Sequence, residues 1–153
     1  MSLEDRLFED LKLALKAGKK EEVSTLRMIR AQIKDTRIAR GKGTELNDED
    51  ITQVLQKAAK NRKEAIEMYE KGNRDDLVAK EQAEYEIIVR YMPEQLSEQE
   101  IEKIIQETIS SLHVSSEKDI GRVMGAIMPK VKGKADGKLV QHKVKVALAN
   151  LPS

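Results

Sequence analysis

Ser97-Glu98-Gln99-Glu100-Ile101-Glu102-Lys103-Ile104-Ile105-Gln106-Glu107-Thr108-Ile109-Ser110-Ser111-Leu112 carries two independent signals of one structure. Ser97 and Glu100 stand three apart, the spacing of a capping box, in which each side chain satisfies an amide of the first helical turn. Behind them Ile101, Ile104, Ile105, Thr108, Ile109 and Leu112 recur at i, i+3, i+4, i+7, i+8 and i+11, one stripe of a helix. The same reading extends in both directions. Ser116 with Asp119 repeats the capping device, and Ile120, Val123, Met124, Ile127 and Met128 repeat the spacing until Pro129, where a helix is expected to stop. Asp136 reads as the cap of a last helix with Val140, Val144, Ala147, Leu148 and Leu151 as its seam.

Upstream, Met92-Pro93-Glu94-Gln95-Leu96 marks a boundary, because proline lacks an amide donor and disfavours helix in the residue before it. Before it, four more helices are predicted. The first carries Leu3, Leu7, Leu11, Ala14 and Leu15 and stops at Gly18. The second runs from about Lys20 to Arg40, with Leu26, Ile29 and Ile33 on one side, and closes at Gly41-Lys42-Gly43. Asn47 with Asp50 caps a third, whose pattern Ile51, Leu55, Ala58, Arg62, Ala65/Ile66 and Tyr69 reaches Gly72. The fourth opens at Arg74-Asp75-Asp76 and is expected to continue through Met92 to Pro93. The expected fold class is therefore all-α: a helical N-terminal domain, residues 1–92, then a small three-helix C-terminal domain, residues 97–151. Aromatic residues are only 3% and Trp is absent, which argues against the aromatic-rich strands of a sandwich or barrel.

Charge is distributed unevenly. Residues 1–112 hold 20 Lys/Arg against 24 Asp/Glu, and residues 113–153 hold 8 against 3, although the net charge of the 153 residues is only +1. The excess concentrates between Arg122 and Lys145, where Lys/Arg occupy positions 122, 130, 132, 134, 138, 143 and 145 against the single acid Asp136. A localised basic surface of this kind suits a polyanion. Lys130, Lys132, Gly133 and Lys134 form a turn before a helix N-terminus, and Lys138, His142 and Lys145 share one face of that helix. With Arg122, these are the candidate anion-binding residues. Gly121 and Gly125 join them, since a glycine inside a helix costs about 1 kcal/mol relative to alanine and asks for a reason. Tight packing of one helix on another is the first account of that pair, and close approach of a nucleic-acid backbone the second. A second basic stripe, Arg27, Arg30, Lys34 and Arg37, reads first as salt bridging to Glu81, Glu84 and Glu86, and second as a further phosphate-contacting surface.

Catalytic chemistry is harder to find. The lysine turn lacks the G-x-x-x-x-G-K-[ST] spacing of a nucleotide-binding loop. The chain has no Cys, so thiolate metal sites, disulfides and a cysteine nucleophile are excluded, and His113 and His142 have no H-E-x-x-H spacing. Acids at Asp48-Glu49-Asp50 and Asp75-Asp76 stand at helix starts, where the dipole favours them. No cofactor and no catalytic set are expected. No apolar run approaches the roughly 18 residues that span a bilayer, and the opening Met1-Ser2-Leu3-Glu4-Asp5 is acidic where a signal peptide is basic, so a cytoplasmic location without a membrane partner is expected.

The stretch from Gly121 to Val140, Tyr91-Met92-Pro93-Glu94-Gln95-Leu96-Ser97 and Leu26-Arg27-Met28-Ile29 together resemble the GatB/YqeY family over essentially the whole length. The chain looks like a complete, free-standing YqeY-like protein. Its last part is also similar to the tail domain of the B subunit of glutamine-dependent tRNA amidotransferases, where the turn matching Gly133 to Asp136 is followed by proline rather than Gly137. That resemblance implies an all-α fold and a tail that helps hold misacylated tRNA, with Gly121, Gly125, Lys132, Gly133, Lys134, Ala135 and Asp136 on the tail motif. It implies tRNA as partner, and an amidotransferase or aminoacyl-tRNA synthetase beside it. The alternatives are an accessory component of a glutamine-dependent carbon–nitrogen ligase, and an interaction module docking an acidic protein. Family members often carry Asn at Gln141 and an apolar residue at Lys143, so this chain departs within the last helix.

Overall fold

The computed structural model describes residues 1–152. Among them stand seven α-helices and no strand: α1 (Leu3–Ala17), α2 (Lys20–Arg40), α3 (Asp48–Lys71), α4 (Asp75–Val89), α5 (Glu98–Ser111), α6 (Ile120–Val131) and α7 (Gly137–Ala149). The chain divides into two compact units, Met1–Met92 and a second that begins at Pro93, each with its own core.

In the first unit, local chemistry sets the helix ends. Ser2 caps α1 by accepting from the Asp5 amide, and Gly18 closes it in the left-handed region at φ 69°, a conformation costly for any residue with a Cβ. Asn47 and Asp50 form a reciprocal capping box on α3, which ends at Gly72, and Asn73 takes the positive φ that turns the chain into α4. A short turn followed by extensive contact makes α3 and α4 a helical hairpin. Leu7, Leu11, Leu26, Ile29, Ile33, Ile51, Leu55, Ile87 and Ile88 supply the core. Tyr91 closes its edge; its hydroxyl donates to Asp10 at 2.6 Å, and burial with that bond raises the phenol's pKa. The helix α4 ends at Val89, not at Pro93. Ile88 and Val89 instead accept turn bonds from the Tyr91 and Met92 amides, so three residues separate the helix from the proline.

One core position is charged. Arg62, on the apolar stripe of α3, is 8% exposed. Its guanidinium donates to Glu84 at 3.1 Å, to the Ala58 carbonyl at 3.4 Å and to the Met28 sulfur, and lies 3.8 Å from Glu81. Glu81 and Glu84, offered above to the α2 stripe, are therefore drawn to Arg62: a buried guanidinium demands acceptors from whatever packs on it.

The second unit packs α5, α6 and α7 around Ile101, Ile105, Ile109, Val123, Ile127, Val131, Val140, Val144 and Leu148. Ser97 and Glu100 make the capping box on α5. Ser116 does not make one with Asp119. Its hydroxyl accepts from the Lys118 amide and begins a 3₁₀ turn, Glu117–Asp119, that feeds α6. Nor does Pro129 stop α6, which continues to Val131. The amide that proline lacks would have paired with the carbonyl of Gly125, four residues back. Gly125 lies on the exposed face of the helix, and buried Val131 holds the last turn on the core.

Candidate nucleic-acid interface

The lysine turn is a built structure. Gly133 is buried at φ 76°, and the amides of Lys132, Lys134 and Ala135 pair with the Met128 and Val131 carbonyls. From the segment before α5, the Gln95 side chain donates to the carbonyls of Pro93 (2.7 Å) and Gly133 (2.9 Å), and the Leu96 amide donates to the carbonyl of Lys134 at 2.9 Å. Residues 95–96 thus brace the turn. Their role has no sequence signal beyond their nearness to Pro93, because the bonds run to a segment almost forty positions away.

Asp136 caps α7, its carboxylate accepting from the Lys138 amide at 3.2 Å. The Lys138 amide at this helix start is thus taken by a carboxylate, whose negative charge also complements the helix dipole.

The other candidates divide into two sets. Ile120, Gly121, Met124 and Met128 of α6 and Gly137, Lys138 and Gln141 of α7 line an open groove of about 660 Å³ with Asp136. Lys138, His142 and Lys145 are exposed along one stripe of α7, as is Lys134 in the turn beside it. Lys132 is also exposed there, and Gly125 lies one turn from Gly121 on the exposed face of α6. By contrast, Arg122 donates to the carbonyl of Leu112 at 2.9 Å and so closes the end of α5. Lys130, though exposed, falls about 180° from Gly121 on the helical wheel, away from the groove. Lys143 pairs with Glu102 at 2.9 Å and Glu98 at 3.7 Å on α5, and the bond to Glu102 raises its pKa. That pair explains how a lysine is accommodated at this half-buried position of α7: it lies beside acids of α5.

The glycine pair is not a packing device. A Cβ added at Gly121 or Gly125 would meet no atom within 4 Å. Both sit in ordinary helical geometry, so Gly121→Ala and Gly125→Ala are each expected to stabilise the protein by about 0.5–1 kcal/mol. Thermal melts of the single and double variants check this; a loss of stability would mean that the glycines are structural after all. Met124 and Met128 pack against the core from the seam, as their spacing implied, and being only half-buried they also line the groove. The methionines four apart beside glycines were the available signal, since Met adapts to an irregular partner surface.

His113 takes a positive φ of 54° in the turn after α5, a conformational role. Among the described residues no cluster of His, Cys, Asp or Glu is placed to hold a metal, and no helix is long and apolar enough to cross a membrane.

The stripe on α2 also resolves differently from expectation. Nη2 of Arg37 donates to both carboxylate oxygens of Glu4 on α1, at 2.6 and 2.7 Å, and Arg30 lies over the Phe8 ring, 4.4 Å from its centroid. Neither turns to α4.

The sequence matches the family model described as Yqey-like protein over residues 4–148. It is 32% identical over 143 residues to a protein of Pyrenophora tritici-repentis named altered inheritance of mitochondria protein 41, mitochondrial, covering 91% of this chain and 77% of that protein. The protein of the same name from Saccharomyces cerevisiae is 33% identical over 134 residues, which is 88% of this chain but 63% of the yeast protein, less than two thirds of its length. With the family match spanning nearly all of both units, the chain belongs to the YqeY-like protein family.

Proposed function

We propose that this protein is a non-catalytic tRNA-binding accessory factor whose second unit holds the RNA along the lysine turn and the exposed stripe of α7. The observation that carries the reading is that Lys138 lines a groove with Gly121, where no side chain blocks close approach of a sugar-phosphate backbone, while His142 and Lys145 continue its exposed stripe on α7 and Lys134 is exposed in the preceding turn. Phosphate contacts of this kind supply affinity without sequence readout, which suits recognition of an RNA by shape. Family membership agrees with a tail that helps hold tRNA beside an amidotransferase or synthetase that performs the chemistry.

The names of the relatives place them in mitochondria. A cysteine-free chain suits a reducing aqueous compartment, the cytoplasm on the sequence reading or the mitochondrial interior on those names.

Titration of the intact protein with total tRNA, read by fluorescence anisotropy at 50 and 200 mM salt with amide chemical shifts recorded in parallel, tests the proposal. Binding that weakens steeply with salt and moves resonances of α6 and α7 is the expected result. Salt-insensitive behaviour, or a bound protein retained after RNase treatment, would transfer this surface to an acidic protein partner. The same preparation is expected to give no glutamine-dependent amidation of Glu-tRNA or Asp-tRNA by itself; turnover that survives further purification would contradict the accessory role.

A further inference from the structure

A groove of about 890 Å³ lies between α1 and α2 of the first unit. Its floor is apolar core, including Leu7, Leu11 and Ile33. Along its edges stand apolar side chains that the fold leaves in water: Phe8 is 36% exposed and Ile38 is 68% exposed. A smaller depression lined by Leu15, Val23 and Arg27 continues it along the same two helices, and there Leu15 is 48% exposed. The rim is cationic. Arg27, Arg30, Lys34 and Arg37 line the groove against Glu4 and Asp5, and Glu4 is already paired with Arg37. Arg27 and Lys34 have no ion-pair partner among the described residues. Lys12 adds a further cation, its Nζ 4.5 Å from the Phe8 centroid.

We propose that this groove seats an acidic amphipathic helix of a partner protein. The spacing supports a helical occupant. Arg27, Arg30, Lys34 and Ile38 follow one stripe of α2 at helical spacing and Phe8 and Leu15 one stripe of α1, so the two helices offer a third helix a seam about 16 Å long between Arg27 and Ile38, roughly three turns. Charge chooses the sign. A helix laying an apolar i, i+3, i+4, i+7 face on Phe8, Leu15 and Ile38 would bring its flanking positions over the α2 cations, and acids there complete pairs that this chain leaves open. Chemistry also separates this occupant from RNA: a sugar-phosphate backbone would satisfy the cations but leave those three apolar side chains exposed, and Phe8, the groove's aromatic ring, is already engaged by two cations. The surface is separate from the one assigned to tRNA, so the two stand or fall independently.

The test is selection of a helical peptide library on the full chain, with the apolar seam varied among Leu, Ile, Val and Phe and the flanks among Glu, Gln and Lys. Glu is expected to dominate the recovered flanks, and a recovered peptide is expected to shift amides of α1 and α2. Arg30→Glu and Ile38→Asp are each expected to weaken its binding tenfold or more, while melts stay near those of the parent because both side chains are exposed. Phe8→Ala should act in the same direction. Overturning results are no binder, flanks enriched in Lys, a footprint outside α1 and α2, or full binding to both surface variants. Displacement of the peptide by a 20-nucleotide single-stranded RNA that binds the same amides more tightly would also overturn it, making the groove an RNA surface.

Discussion

Replacing Lys134, Lys138 and Lys145 together with alanine is expected to flatten the salt dependence of tRNA binding. Each lysine that neutralises a phosphate releases a condensed counterion, contributing about 0.9 to the slope of log affinity against log salt, so the triple variant should lose roughly 2.7 from that slope. Over a fourfold rise in salt the parent would then lose roughly 40-fold more affinity than the variant. All three side chains are exposed, and the bond from the Lys138 amide to the Asp136 carboxylate belongs to the backbone of residue 138 and survives. Melting should therefore change little. Lys143→Ala is the internal control, because that lysine is engaged with Glu98 and Glu102 and should leave the slope near that of the parent. Equal slopes for parent and triple variant would remove the lysine stripe from the interface.

The largest stability effect is expected at Arg62. Arg62→Ala leaves Glu81 and Glu84, whose side chains are 19% and 18% exposed, without the guanidinium that offsets their desolvation. Removing one partner of a buried ionic cluster costs about 3–5 kcal/mol. A unit of this size loses roughly 4–8 °C of melting temperature per kcal/mol, so a fall on the order of 20 °C is expected by calorimetry. Most of that loss is the stranded carboxylates rather than the net strength of the pair. Adding Glu84→Leu to Arg62→Met should accordingly recover much of the stability that Arg62→Met loses, whereas independent sites would add their losses. Two additive destabilisations would mean that the cluster is not coupled as the distances imply.

Arg62 also marks where sequence reasoning met its limit. Its place on the α3 stripe was legible from periodicity, but a charged residue on an apolar stripe does not announce which acids will reach it. The choice of Glu81 and Glu84 followed from the α3–α4 hairpin, since those acids pack against α3 and the α2 stripe does not compete for them. The same distinction separates the members of the basic run. Lys138, His142 and Lys145 were placed on one exposed face by arithmetic on 3.6 residues per turn, whereas Arg122 and Lys143 were counted with them and lie against α5 instead.

What the sequence by itself determined were the features whose causes are local: seven helices, the caps at Asn47, Ser97 and Asp136, and the stop at Gly18. Capping bonds and helical periodicity join residues a few positions apart, so spacing alone encodes them. Only the tertiary structure decided which glycines meet open space, that α6 runs through Pro129, that Gln95 braces the lysine turn, and which cations keep their charge unopposed. Each depends on what a folded neighbour presents from tens of residues away, and a helical pattern fixes the face a side chain occupies without fixing what lies across from it.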